Sequence, residues 1–347
     1  MKLIDCDIHN QLVSLHDLEV YLPDFWCDYI NESAFVGPDA NDYPASASLT
    51  ARPETRGNEG CPPGSDLALL RSQLLDKGPV GIGILNCIYW VQSVHHPDLA
   101  AALATALNQW QVDEWLEPEP RLRASIVVPS QQPEMAVREI ERWGEHPGFV
   151  QVLLPVRSDA PYGNRRYDPI YEAASRHQLV VGIHYGGAAG HPPTPAGWPS
   201  TFVEEYVDMA QLFQSQVMSL IIEGTFARIP QLRVALLESG FTWMPSLMWR
   251  MDKEWKGLRH NIPWVKRPPS AYMREHIRLT TAPLDMPPHT HQLTQILDQM
   301  ESDEMLIYSS DYPHWHTDEP MDIFTAEISS DVRAKIMAEN ARNFYRF

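Results

Sequence analysis

Cysteine is scarce in this sequence. Four residues, Cys6, Cys27, Cys61 and Cys87, stand far apart with no CxxC pair among them, so neither a disulfide framework nor a cysteine zinc site is suggested. Cys6 and Cys87 fall in apolar runs, where reduced, buried thiols are expected. Long apolar runs are missing too: none approaches the roughly 20 residues needed to span a bilayer. No signal-peptide pattern precedes the first strand, and a soluble cytoplasmic protein with no membrane partner is expected. Basic residues are few. Lys+Arg number 27 against Asp+Glu 45, a formal charge of -18, which argues against nucleic acid or an anionic membrane surface as a partner.

What the sequence does have is alternation. Apolar runs at residues 3–10, 80–88, 122–128, 149–154, 179–184, 234–238, 277–281 and 305–310 read as strands. Segments with helical spacing lie among them, at 12–26, 97–116, 133–143, 169–177, 203–226, 245–256 and 331–347. Strands alternating with helices, with polar groups gathered at strand C-terminal ends, predict an α/β fold, a (β/α)8 barrel in one domain over residues 1–347. Residues 31–64, rich in Pro, Gly, Ser and Asn, show little periodicity. A stretch of that length is expected to be a lid insertion or a subunit contact.

In the first strand Asp7 and His9 share a face, with Asp5 one step further back. The C-terminal ends of barrel strands form one rim, so Asp7 and His9 would meet His184 of strand five, Glu238 of strand six and Asp311 after strand eight. Asp, Glu and His are good ligands for a divalent metal. Trp90, after strand two, is a candidate to line the pocket, and the loop 186–200 to shape its mouth, with His191 expected at the surface. Arg250, on the helix after strand six, is a candidate to bind a substrate carboxylate, against an ion pair with Glu254 one turn on. Trp243, Trp249, Trp255 and Trp264 gather around this helix and suggest an apolar interface, hence a homodimer.

Asp7-Ile8-His9, the strand-five run Gly182-Ile183-His184-Tyr185-Gly186-Gly187, and Ser309-Ser310-Asp311-Tyr312-Pro313-His314-Trp315 resemble the amidohydrolase superfamily, in the branch of the aminocarboxymuconate semialdehyde decarboxylases. The resemblance covers essentially the whole chain. It implies a single divalent metal held by Asp7, His9, His184 and Asp311. Three features depart from that pattern: Asp7 stands where the first histidine of His-x-His is common, Glu238 where strand six commonly carries a catalytic histidine, and Leu154-Pro155 where many two-metal amidohydrolases carry a bridging lysine. The resulting mixed N/O ligand set suits Zn, Mn or Fe, as one ion or two.

The first functional expectation is a metal-dependent hydrolase or non-oxidative decarboxylase acting on a small carboxylate-bearing or cyclic substrate. Asp311 would accept a proton, His314 orient or protonate the substrate, and Glu238 replace the missing strand-six histidine. The second is a non-haem iron oxygenase, with Glu238 and His314 completing a second metal site. The third is an inactive subunit that pairs with an active paralogue.

Overall fold

The computed structural model describes residues 2–38, 51–57, 61–187, 192–315 and 328–347. Eight parallel strands follow one another in chain order: β1 (Leu3–Ile8), β2 (Val80–Leu85), β3 (Leu122–Val127), β4 (Phe149–Arg157), β5 (Val180–Gly187), β6 (Val234–Leu237), β7 (Ile277–Thr280) and β8 (Leu306–Ile307). Their near-continuous Val, Ile and Leu content suits strands covered on both faces, and β1, β6, β7 and β8 are buried along their whole length. The first and last strands meet. Ile8 pairs in parallel with Tyr312, and the Cys6, His9 and Asp311 amides donate to the carbonyls of Tyr308 (2.9 Å), Tyr312 (2.7 Å) and Asp7 (3.1 Å). The expected (β/α)8 barrel is the fold.

Helices α1 (Asp24–Ser33), α2 (Pro97–Gln111), α3 (Pro133–Trp143), α4 (Asp168–Arg176), α5 (Phe202–Ile222), α6 (Met244–Leu258), α7 (Pro269–His276), α8 (Thr290–Gln299) and α9 (Asn340–Tyr345) lie around the barrel or across its ends. Five of them, α2, α3, α4, α6 and α7, carry proline in the first turn, where its missing N–H has no intrahelical partner to lose. In α2, Leu99, Leu103, Leu107 and Trp110 fall at helical spacing and are buried against the sheet.

Several boundaries differ from the sequence expectation. Residues 12–26 are not one segment, because Pro23 separates a 3-10 turn (Leu15–Tyr21), capped by Ser14 and Asp17, from α1. The helix expected over 203–226 stops at Ile222, and Gly224, with φ 78°, turns the chain into a further short turn. The expected C-terminal helix is three pieces with a π-helical segment (Lys335–Glu339) in the middle. Helices α7 and α8 were not anticipated.

The barrel interior holds Ile4, Cys6, Ile84, Leu153, Val180, Ala235, Leu237 and Ile307, and Phe344 and Tyr345 of α9 pack into the same cluster. Arg233, just ahead of β6, donates to the Phe344 carbonyl, so the chain's last helix closes the N-terminal end of the barrel. The opposite end is covered by the described parts of the 31–64 segment. Ala51 bridges His314, the Arg52 amide donates to the Pro313 carbonyl (2.9 Å), and the Gln11 amide to that of Gly64 (3.1 Å). The described parts of that segment thus touch the rim formed by β1 and the end of β8.

Candidate metal centre

At the C-terminal rim five side chains from four strands converge. His9 Nε2 lies 3.8 Å from Asp7 Oδ1, 3.3 Å from Glu238 Oε1 and 2.8 Å from Asp311 Oδ1. His184 Nε2 lies 3.5 Å from Asp7 Oδ1 and 3.7 Å from Glu238 Oε1. His314 Nδ1 adds itself at 3.0 Å from Asp311 Oδ1 and 3.7 Å from Glu238 Oε1. All are buried except His314, which is half-buried. Glu238 and Asp311 both hold left-handed backbone, φ 56° and 54°, a conformation that non-glycine residues adopt at a cost of order 1–3 kcal/mol and that clusters at functional sites.

The imidazoles are aimed by the backbone. His9 Nδ1 donates to the Asn86 carbonyl (3.0 Å) and His184 Nδ1 to the Tyr185 carbonyl (2.8 Å), which turns each Nε2 into the cluster, where its lone pair serves a metal once its proton is displaced. Two buried donor atoms there have no hydrogen-bond partner: His184 Nε2 and Asp7 Oδ2. Buried polar atoms are rarely left so. A four-coordinate ion with bonds of roughly 2.1 Å spaces its donors about 3.4 Å apart, and the Asp7–His9–Glu238–His184 ring has edges of 3.3–3.8 Å. The residues fit a divalent cation.

Asn86, just past the end of β2, is the residue that sequence reasoning missed. Its amide donates to Asp7 Oδ1 (2.8 Å) and the Cys6 carbonyl (3.1 Å), while its side-chain oxygen accepts from Ser125 (2.6 Å) and Gln151 (2.9 Å). Gln151 in turn accepts from the Tyr345 hydroxyl (2.7 Å), so a polar chain runs through the barrel from its closed floor to the metal ligands. Asp5 does not face the cluster. Its carboxylate accepts from the Ser310 and Asp7 amides at 3.0 and 3.3 Å, and burial pushes its pKa up to about 7.

Trp90 is buried with its ring 6.0 Å from that of His184. Gly186, at φ 111°, lets the β5 backbone pass this ring, for a Cβ there would lie 2.7 Å from the indole nitrogen. Arg250 is a correction: it is exposed on the outer face of α6, in a groove with Gln211, Met218, Trp255 and Leu258, because that part of the helix packs outside the barrel. Nor does an Arg250–Glu254 ion pair form the main contact there; Glu254 is bonded by Lys253 at 2.7 Å. The buried arginine near the rim is Arg157, at the end of β4, paired with Glu205 of α5. His191 lies outside the described residues.

Burial disfavours a charged imidazole, yet the facing carboxylates outweigh it. Through Asp311 and Asp7, His9 is held well above the usual histidine range; through Glu238 and Asp7, His184 is raised; and through Asp311, His314 is raised to about 9. A histidine whose folded pKa lies above its unfolded value of about 6.5 stabilises the fold fully below pH ~6.5 and loses that contribution as pH climbs through the folded value. The metal-free protein is therefore expected to lose thermal stability from pH 6.5 to about 9. Over the same interval Mn(II) affinity should rise by roughly tenfold per pH unit for each proton displaced. Thermal melts and Mn(II) titrations at several pH values check both signs; a pH-independent affinity would contradict the assignment.

Buried imidazoles and carboxylates converging at the C-terminal rim of a (β/α)8 barrel define a metal-dependent enzyme. The sequence matches the amidohydrolase family over residues 4–347, and the chain belongs to that family. It is 26% identical over 305 residues to the gamma-resorcylate decarboxylase of Polaromonas sp. (strain JS666 / ATCC BAA-500), covering 81% of this chain and 88% of that one. Among solved structures it is similar to the dihydroxybenzoic acid decarboxylase of Polaromonas sp. JS666 with bound manganese and the inhibitor 2-nitroresorcinol (TM-score 0.68, 22% identity, 99% and 97% of the two chains). It is likewise similar to the 5-carboxyvanillate decarboxylase of Novosphingobium aromaticivorans DSM 12444 complexed with manganese and 4-hydroxy-3-methoxy-5-nitrobenzoic acid (TM-score 0.74, 18% identity, 100% and 96%). These structural likenesses are of fold.

Proposed function

We propose that the protein is a metal-dependent, non-oxidative decarboxylase of a small aromatic carboxylate. The observation that carries this reading is the pair of orphaned, buried donors, His184 Nε2 and Asp7 Oδ2, within a ring of edges that suits one divalent ion; the decarboxylase relatives supply the reaction class. Manganese is the first choice of ion, with zinc and iron open to the same donors. When bound, the ion would supply positive charge that holds substrate oxygens and offsets the negative charge developing on the ring.

The remaining chemistry belongs to the side chains. Decarboxylation breaks the bond between ring carbon and carboxylate, releases CO2, and leaves an electron pair on that carbon for a proton. Asp311 Oδ1, 2.8 Å from His9 Nε2 and 3.0 Å from His314 Nδ1, is placed to deliver that proton. His314, half-buried beneath the lid, links Asp311 to solvent for reloading. Glu238 stands with the ligands, so acid–base work falls to Asp311 and His314. Trp90 supplies an apolar wall for the aromatic ring.

The four cysteines are unpaired, which supports a cytoplasmic setting, and among the described residues no helix is long and apolar enough to cross a membrane. A homodimer is supported by the outer face of α5 and α6, where Val203, Val207, Met218 and Trp249 are exposed; Trp243 and Trp255, by contrast, are half-buried and hydrogen-bonded to the Ser239 and Val265 carbonyls.

The test is a panel containing 2,6-dihydroxybenzoate and 5-carboxyvanillate with Mn-loaded protein in D2O. CO2 release with deuterium at the vacated carbon is expected. Hydrolysis of lactones without CO2 would favour the hydrolase arm, oxygen consumption by iron-loaded protein the oxygenase, and bound metal without any turnover the silent subunit.

A further inference from the structure

Arg157 stands on the inner face of β4, in the row Gln151, Leu153, Pro155 and Arg157. Gln151 bonds to Tyr345 inside the barrel (2.7 Å), and Leu153 belongs to the interior cluster. A Cβ built on Gly187 would meet the Cβ atoms of Arg157 and Pro155 together, at 2.7 and 2.8 Å. Pro155 pairs with His184 in the sheet. Arg157, two residues on, therefore lies roughly 6–7 Å beyond the level of that ligand, at ~3.3 Å per residue. That layer is the one the far edge of a single aromatic ring reaches when its near edge is held at the cation seat.

A guanidinium in that layer suits an anion, but this one already has a carboxylate. Glu205, in the first turn of α5, has no exposed surface and pairs with Arg157, which is 7% exposed. The start of the helix favours a carboxylate there, and the Tyr206–Tyr185 ring contact, centroids 5.8 Å apart, holds that turn against the end of β5. An ion pair this buried adds little net stability, because desolvation offsets its attraction. What it adds is a polar edge of no net charge on the β4 side of the mouth. Across the mouth, Arg52 of the lid segment is turned to the His314 carbonyl (2.9 Å).

We propose that the Arg157–Glu205 pair is a specificity determinant: it selects aromatic monocarboxylates whose far edge carries an uncharged polar group such as a hydroxyl, and it disfavours a second carboxylate there. For the group that reacts, the assignment rests on the decarboxylase reading. A hydroxyl beside the pair needs no counter-charge. A second carboxylate would meet the Glu205 charge as well as that of Arg157, attraction and repulsion offsetting each other while it loses its water.

The experiment measures the affinity of the Mn-loaded full-length protein for two unreactive ring probes in which a nitro group stands in for the departing carboxylate. One is 2-nitroresorcinol, with no carboxylate; the other is 4-hydroxy-3-methoxy-5-nitrobenzoate, with a further carboxylate on the ring. The parent protein should prefer the first by about tenfold or more. Glu205→Gln, which leaves the Arg157 charge without its carboxylate, should shift the ratio roughly tenfold toward the second. Arg157→Met combined with Glu205→Met removes both charges and should keep the parent's preference. Equal or tighter binding of the carboxylate-bearing probe by the parent, an unshifted ratio in folded Glu205→Gln, or binding of neither probe would overturn the proposal. Because the parent's ratio is read without any substitution, a variant that fails to fold does not protect it. The ratio involves no turnover, so the expected shift without CO2 release from any carboxylate would strike the decarboxylase reading and leave the selectivity of the ring site standing.

Discussion

His184→Ala is expected to weaken Mn(II) binding by more than a hundredfold, while at alkaline pH, where the imidazole is neutral, it costs the metal-free protein far less. The two halves of that result come from one observation. His184 Nε2 is buried with no hydrogen-bond partner, so once the ring is neutral that atom contributes little in the absence of metal, whereas at lower pH the protonated ring faces Asp7 Oδ1 at 3.5 Å and Glu238 Oε1 at 3.7 Å. With metal present it is one donor of four. If a site of this kind binds with about 10–16 kcal/mol, one donor accounts for roughly 3 kcal/mol, which is more than a hundredfold in affinity. Turnover at micromolar Mn(II) should fall at least as far, and added imidazole should restore part of it by entering the vacated space. Calorimetric titration paired with urea unfolding of the metal-free protein reads both halves. Unchanged Mn(II) affinity would remove His184 from the ligand set.

Asn86→Leu should have the opposite signature: a large loss of stability even without metal. The substitution keeps the branched heavy-atom skeleton, with somewhat bulkier methyls, but removes the donor that Asp7 Oδ1 and the Cys6 carbonyl accept from and the acceptor that Ser125 and Gln151 donate to. Each buried partner left unsatisfied costs about 1–3 kcal/mol. With two or three stranded, the sum is roughly 3–6 kcal/mol, a large part of the ~5–15 kcal/mol that holds a typical domain together. Metal affinity should drop as well, by about 10–100-fold, because Asp7 loses the partner that orients it. Urea unfolding of the metal-free variant is the decisive measurement. A variant within about 0.5 kcal/mol of the parent would show that waters or neighbours can stand in for the amide.

The strands were legible because parallel strands covered on both faces are written as short, dense Val/Ile/Leu runs, and the rim residues because an Asp, Glu or His at the end of such a run has no apolar reason to be there. Asn86 sits by the same rule at the end of β2. It went unnoticed because a lone amide carries no chemistry of its own; only the fold shows that it touches two metal ligands at once. Arg250 failed for a different reason. Sequence places it on the helix after strand six, but whether a helical residue faces the rim or solvent depends on the helix phase, set by packing that no local pattern records. Helix α8 was missed because Thr290–Gln299 is mostly polar, burying only Leu293 fully, and its helicity comes from its neighbours and its His289–Gln292 capping box.

The closure of β1 on the end of β8 has a consequence in time. His9 and its 2.8 Å partner Asp311 are 302 residues apart, and Tyr345, which anchors the polar chain beneath Asp7, follows later still. At about 5–20 residues per second the ribosome takes roughly 15–60 s to travel from one to the other. Throughout that interval the nascent chain has β1 paired with β2 alone, without the hydrogen bonds from the end of β8 that close the barrel and without the Asp311 carboxylate beside His9. Asp7, His9, His184 and Glu238 are all made before residue 311, but the barrel that holds them in register closes only afterwards, so a ribosome stalled before that point yields a chain whose cation seat is unframed.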